Sequence, residues 1–261
     1  MFCKIFDVSD EGNVNPNSDP HGDLKGKNVL RRLMYESDSN ELVLSQCLEI
    51  LKEKRNSRQK PHLDDKIICG WNSLMISGLC SAYSVLNDIE VLDEAIICAN
   101  FIISKMFSEE HQTLFRIYKD GSSQIPAFAE DYSFFIQALI DLYQVTLDEK
   151  WLLQAKRLQG ILDERFWDEK EGGYFVSSLD LSEGFLRLKD QQDGAEPCSN
   201  TIQLLNLHRL KNLTGDESIQ KKADLQLNFL SEYLLQHPTS VPIACNALLY
   251  SLPDTSLVFS D

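Results

Sequence analysis

A helical template that occurs three times constrains the fold of this chain more than any other feature. The copies begin at Ser73, Ser133 and Thr201, at spacings of 60 and 68 residues, and each has a leucine six positions later. Each copy also reaches an aspartate 15 positions after its first residue, and these aspartates are Asp88, Asp148 and Asp216. A recurring unit of this kind indicates that one supersecondary structure is stacked several times.

Each of these aspartates marks a predicted turn between a mostly apolar helix and a more amphipathic one. The amphipathic helices are predicted at 90–106, 149–165 and 217–236. A buried helix joined by a short turn to an amphipathic helix is an αα-hairpin. A charged helix at 40–58 would be the outer helix of an earlier hairpin, and the segment after Pro242 would begin another inner helix. The predicted fold class is therefore all-α, an incomplete α/α toroid with an inner and an outer ring.

The connections between the hairpins are long and contain strand-like pieces. Residues 107–130 include Leu114–Tyr118, which is followed by turn-forming residues, and residues 166–199 form a second long connection. This pattern predicts short β-hairpins between the helical hairpins. The first residues are rich in turn formers, so residues 1–28 are predicted to be an irregular loop segment and 29–261 a partial toroid domain.

Composition excludes several classes of function. The chain has 40 acidic and 25 basic residues, and its formal net charge of −15 disfavours nucleic acids and anionic membranes as partners. No apolar run reaches the roughly 18 residues that a membrane span needs. The seven cysteines form no C-x-x-C pair, and the five histidines have no metal-ligand spacing, so neither a metal site nor a cofactor is predicted. A reducing, cytoplasmic location is expected.

Acidic clusters precede all three inner helices and predict a site. They contain Asp64 with Asp65, Glu130 with Asp131, and Asp193. Because parallel inner helices begin at the same rim of a toroid, these clusters are expected to converge, and paired carboxylates serve as acid and base in glycoside chemistry. The candidate catalytic residues are Asp65, Asp131 and Asp193. The candidate substrate-binding residues are Asp64, Trp71, Asn72, Glu130, Tyr132, Arg187 and Asn200.

Simpler interpretations of these residues remain open. Aspartate is a common cap at a helix N-terminus, where it also complements the helix dipole. Trp71 and Asn72 are as easily explained by packing. Arg187 is a candidate for binding an anionic group, but an ion pair with Asp190 is favoured.

Several of these stretches resemble the spermatogenesis-associated thioredoxin-like proteins and their bacterial relatives. The stretches are Lys60–Lys66 followed by Trp71–Ile76, Ala129–Phe134, Glu171–Phe175 and Asp193–Asn200. The resemblance implies a thioredoxin-like domain followed by a six-hairpin, glycosidase-like toroid. The family usually has Gly at the position of Ser73 and Pro-Ser-Gly-Asn where this chain has Pro197-Cys198-Ser199-Asn200, which is a departure at the third cluster.

Two functions follow from this resemblance. The chain has no strand–C-x-x-C–helix pattern and too few hairpins to close a ring of six, so it is expected to be a fragment of such a protein. The first function is carbohydrate-related, with a carboxylate-lined pocket and hydrolysis favoured over histidine-dependent epimerisation. The alternative is a non-catalytic scaffold attached to a thioredoxin-like redox domain in the full-length protein. Whether the chain is an enzyme is left undecided.

Overall fold

The computed structural model describes residues 1–33, 41–181 and 186–251. They form two compact units, Met1–Asp64 and Asp65–Asp261. The sequence-based division between residues 28 and 29 lies within the first unit, and as a domain boundary it stays a prediction.

The first unit contains two helices, α1 (Phe2–Ile5) and α2 (Glu41–Asn56). The bounds of α2 agree within two residues with those of the charged helix predicted at 40–58. The segment predicted to be irregular consists mostly of turns, apart from α1 and a short 3₁₀ turn at Pro16–Ser18. Gly12 is required there because its φ of +87° is left-handed and a Cβ would lie 2.6 Å from the backbone of Gly26.

The second unit contains three helical hairpins, as the repeat predicts. Their bounds are α3 (Cys69–Leu86) with α4 (Ile89–Lys105), α5 (Ala129–Thr146) with α6 (Glu149–Phe166), and α7 (Ser199–Thr214) with α8 (Glu217–Gln236). A further helix, α9 (Pro242–Leu249), begins where the next inner helix is predicted. The three repeated aspartates cap the outer helices, since each accepts a hydrogen bond from a backbone N–H of the following turn.

The inner helices form an arc in the order α3, α5, α7 and α9. Helix α5 packs against α3, α6 and α7, and α7 packs against α5, α8 and α9. Most side chains of α5 and α7 are buried, whereas α3 has an exposed stripe that includes Trp71, Met75 and Val85. The chain is therefore an all-α, incomplete α/α toroid. The stripe is exposed because α3 has only one inner neighbour among the described residues of this unit, and the apolar pattern of its sequence does not reveal this.

A small antiparallel sheet combines the connection between α4 and α5 with the short segment before α3. Its strands are β1 (Ile67–Ile68), β2 (Phe107–Ser108), β3 (Thr113–Lys119) and β4 (Ser122–Pro126). Strand β3 pairs with the other three strands, and its hairpin with β4 confirms the predicted turn. Among the described residues of the second connection, the β pairing is limited to an isolated bridge between Trp167 and Tyr174. No helix among the described residues has the length and apolarity that a membrane span needs.

Candidate functional site

Asp131 lies in the first turn of α5, where its side chain is fully buried. One carboxylate oxygen accepts a hydrogen bond from the backbone N–H of Gly70, at the start of α3, at 3.0 Å. The other accepts from the backbone N–H of Phe128 and from the guanidinium of Arg116, both at 3.0 Å. Asp131 therefore joins the starts of two inner helices to strand β3, and Arg116 also pairs with Glu130.

The pKa of Asp131 is raised, mainly because burial disfavours the charged carboxylate. The nearby charge of Arg116 and the hydrogen bond from Phe128 oppose this shift, and the charge of Glu130 adds to it only weakly. Repulsion between clustered acids would raise a carboxyl pKa in the same direction, but for Asp131 the main cause is burial.

Asp193 has a similar structural environment at the next pair of inner helices. One oxygen accepts from the backbone N–H of Cys198 at 2.9 Å and from the hydroxyl of Thr201. The other accepts from the backbone N–H of Ile243, at the start of α9, at 3.1 Å. Asp193 thus joins α7 to α9, just as Asp131 joins α5 to α3.

Asn200 is buried in the first turn of α7 and binds the backbone of the preceding connection. Its side-chain oxygen accepts from the N–H of Tyr174 at 2.7 Å, and its amide group donates to the carbonyls of Tyr174 and Asp190. Gln226 of α8 also donates to the same side-chain oxygen, at 2.9 Å. These contacts position the connection between α6 and α7.

Asp65 does not match Asp193, although each lies eight positions before the first residue of its repeat copy (73 − 65 and 201 − 193), which predicts equivalent places. Its carboxylate is exposed and forms an ion pair with Lys119 of β3 at 2.9 Å. The hydrogen bond from Lys119 lowers the pKa of Asp65. The difference arises because residues 65 and 66 lead into strand β1, whereas Asp193 is in a loop that folds back over α7. Asp64 belongs to the first compact unit.

Tyr132 and Asn72 are occupied by contacts within the protein. Tyr132 is buried, and its hydroxyl accepts a hydrogen bond from the backbone N–H of Leu114 at 3.0 Å. Asn72 donates to the carbonyl of Ile68 at 2.8 Å, and its side-chain oxygen lies 3.7 Å from the thiol of Cys98. Both arrangements agree with the packing interpretation.

Trp71 is the exposed aromatic residue of this rim. Its side chain is 55% exposed, and its indole N–H donates to Glu196 at 2.8 Å. This hydrogen bond links the start of α3 to the loop before α7. Glu196 was not among the candidate residues, although it lies in the third matched stretch, next to Pro197. Because Glu196 is 125 residues from Trp71 in the sequence, no local pattern could predict this hydrogen bond.

Arg187 does not pair with Asp190, so the favoured interpretation is wrong. Its guanidinium donates to the backbone carbonyls of Ser177 and Arg165, at 2.8 and 2.9 Å. Lys189 makes the ion pair of this segment instead, with Asp168 at 2.6 Å. The backbone carbonyl of Asp190 binds Asn200. Within the described ranges, no three metal-ligating side chains are grouped together.

Two curated relatives are similar to nearly the whole chain. Human spermatogenesis-associated protein 20 is 36% identical over 267 residues, which cover 95% of the chain and 34% of the human protein. An uncharacterised protein of Caenorhabditis elegans is 36% identical over 265 residues, which cover 95% of the chain and 36% of that protein. Over this shared stretch, the chain belongs to the same family as these proteins.

The family assignment confirms the resemblance in the matched stretches. The chain spans about a third of the length of the curated relatives it matches. No family model matches the chain. The residues of the rim described above, including Trp71 and Glu196, therefore lie in the part that the chain shares with this spermatogenesis-associated family.

Solved structures with the same fold are carbohydrate enzymes. An α-mannanase of Bacteroides thetaiotaomicron has a TM-score of 0.57 at 13% identity, covering 81% of this chain and 63% of the enzyme. A cellobiose 2-epimerase of Spirochaeta thermophila has a TM-score of 0.53 at 14% identity, covering 77% of this chain and 56% of that enzyme. These similarities show that the chain has part of a glycosidase-like α/α toroid fold.

Proposed function

We propose that the rim formed by the starts of α3, α5 and α7 binds a carbohydrate. Trp71 would stack against a sugar ring, and the carboxylate of Glu196 would accept hydrogen bonds from sugar hydroxyls. The observation that carries the proposal is the exposed indole of Trp71, held by Glu196 at 2.8 Å. An aromatic face fixed beside a carboxylate offers both an apolar surface and a hydrogen-bond acceptor to a sugar.

The surroundings of Trp71 support this assignment. Gly70, the preceding residue, is hydrogen-bonded to Asp131, which in turn binds Arg116. Arg116 and the half-buried Glu130 form an ion pair whose polar groups could also serve sugar hydroxyls. The neighbouring structures named as an α-mannanase and a cellobiose 2-epimerase make a sugar the first ligand to test.

A non-catalytic scaffold is the second candidate, and the contacts of Asp131 and Asp193 favour it. Asp131 and Asp193 each use both carboxylate oxygens on groups of the protein itself. General acid–base catalysis requires a carboxyl group that can reach the substrate. A catalytic role for Asp65, Asp131 or Asp193 stays a prediction. So do the completion of the ring by further hairpins and the attachment of a thioredoxin-like domain in a longer protein.

Calorimetric titration with mannose- and glucose-based oligosaccharides tests the proposal. Trp71→Ala should abolish saturable binding, while Val85→Ala, an exposed change on the same helix, should leave it intact. Glu196→Gln retains an acceptor for the indole N–H but removes the charge, so it should weaken binding without unfolding the rim. The carbohydrate proposal fails if no sugar binds saturably to this chain or to the full-length human relative, and the scaffold function is then preferred.

A further inference from the structure

The connection between α6 and α7 forms an open groove that the proposed sugar site does not use. Its volume is about 430 Å³, and its cationic and aromatic lining includes Phe175, Arg187, Lys189 and Phe229. None of these residues belongs to the rim around Trp71. The groove brings three cationic side chains together, those of Arg187, Lys189 and the exposed Lys170, on a chain whose formal net charge is −15.

Arg187 is the unusual group in this groove. Its guanidinium is half-buried, lies 4.1 Å above the ring of Phe175, and donates to two neutral backbone carbonyls. Among the described residues, no carboxylate lies within salt-bridge distance of it. Burial lowers the pKa of this partly desolvated cation, and the charge of Asp168, which forms no ion pair with Arg187, only partly opposes the shift.

Lys189 is the second cation, and its side chain is only 10% exposed. It lies 5.0 Å from the ring centre of Phe175 and 4.8 Å from that of Phe229. Its ammonium group donates to the carbonyl of Gly172 at 2.7 Å and pairs with Asp168 at 2.6 Å. These contacts hold the ammonium group in a fixed position against the two rings.

Two carboxylates neutralise part of this charge, but only one of them is firmly held. Asp168 is 15% exposed and also accepts hydrogen bonds from the backbone N–H groups of Lys170 and Glu171. Glu171 is 80% exposed and lies 3.8 Å from Lys189. An exposed ion pair of that length contributes little, so an incoming anion can displace Glu171 at small cost.

We infer that this groove binds a small molecule through a phosphate or carboxylate group, held by Arg187 and Lys189. An oxyanion would supply the charged partner that the guanidinium lacks within salt-bridge distance. The fixed ammonium group of Lys189 would supply a second positive charge to the same oxyanion. Non-specific anion binding is disfavoured by the acidity of the whole chain, so saturable binding at this groove would depend on its own cationic side chains, chiefly Arg187 and Lys189.

Titration of the intact chain with phenyl phosphate, benzoate and inorganic phosphate tests the inference. We expect saturable binding of phenyl phosphate or benzoate, and the ratio of their affinities identifies the oxyanion that the groove prefers. Lys189→Gln should weaken binding roughly tenfold, because it removes a hydrogen bond to a charged group. Arg187→Lys, which keeps the charge but loses the planar fork, should also weaken it.

Glu171→Gln should leave the structure of the groove unchanged, because the side chain of Glu171 is exposed. It should tighten binding several-fold, since it removes the competing carboxylate beside Lys189. Glu169→Gln, an exposed acid of the same turn outside the groove lining, is the matched control and should have little effect. Absence of saturable binding, or equal effects of the two glutamate variants, would overturn the inference. These outcomes are independent of sugar binding at Trp71.

Discussion

Asp131 shows at the residue scale how a local pattern leaves a role undecided. An aspartate in the first turn of a helix is expected either to cap that helix or to face a ligand. The structure shows that Asp131 does cap its own helix through Phe128, but its other oxygen reaches Gly70, 61 residues earlier. That second contact depends on how α3 packs on α5, which no local pattern encodes.

Replacement of Asp131 by Asn should therefore destabilise the fold. The variant leaves a backbone N–H or the Arg116 guanidinium without its acceptor in a buried environment, which should lower the free energy of unfolding by about 2–4 kcal/mol. Urea denaturation measures this change. Asp65→Asn, which affects only an exposed ion pair with Lys119, is the control. It should unfold at nearly the same urea concentration as the unsubstituted chain. Equal midpoints for the two variants would contradict the structural role of Asp131.

His208 makes stability depend on pH. Its side chain is 3% exposed, and Nε2 has no hydrogen-bond partner within the described part of the chain. Burial lowers its pKa, with Asp224 opposing and Lys211 assisting the shift. The folded chain therefore binds the proton of His208 less tightly than the unfolded chain, in which the histidine pKa is about 6.5.

We expect stability to be lost as the pH falls from about 6.5, by up to about 1.4 kcal/mol per pH unit from this group. His208→Gln should flatten that slope, which denaturant titrations at several pH values would measure. His62→Gln, at an exposed position, is the control and should keep it. An unchanged slope in His208→Gln would assign the loss to other groups.

At the scale of elements, the helices were the most predictable part. The outer helices begin within one residue of the predicted positions because Asp88, Asp148 and Asp216 cap them. The inner helices could be recognised by their apolar character, but the sequence did not reveal which helices pack against each of them. The exposed stripe of α3 and the extensive burial of α5 follow from their places in the arc, although both sequences are rich in apolar residues.

Two glycines of α3 test the packing between α3 and α5. A Cβ on Gly70 would lie 3.1 Å from a carboxylate oxygen of Asp131 and 3.2 Å from the ring of Phe134. Gly70→Ala should therefore destabilise the protein by about 1–3 kcal/mol. Gly78 has nothing within 4 Å of such a Cβ, so Gly78→Ala should stabilise the helix by about 0.5–1 kcal/mol. Thermal unfolding distinguishes the two, and opposite signs are required.

At the scale of the whole molecule, the toroid could be predicted, but the chemistry of its rim could not. The repeat indicated hairpins in an arc, and the acidic clusters indicated where the inner helices begin. The clusters did not reveal that Asp131 and Asp193 bind backbone groups. They also did not reveal that Glu196 fixes Trp71, because both facts depend on contacts between separate helices.

The exposed apolar side chains of α3 and α4 predict self-association of this chain. Met75 is 61% exposed, Val85 83% and Ile97 62%. Exposed apolar surface of this kind promotes association, as expected for repeat units that bury their faces against neighbours. Sedimentation velocity should show concentration-dependent oligomers, and Met75→Lys with Val85→Lys should reduce them. A monodisperse monomer with a sharp, cooperative melt would count against this prediction.

The accessibility of Trp71 is the most direct test of the proposed sugar site. The chain has three tryptophans, and Trp151 and Trp167 are only 1% and 7% exposed, so acrylamide should quench mainly the fluorescence of Trp71. A mannose- or glucose-based oligosaccharide that stacks on Trp71 should protect this fluorescence saturably, and Glu196→Gln should weaken the protection. Trp71→Phe removes the quenchable signal and serves as the control. Quenching that stays unchanged across the whole sugar titration would contradict the account.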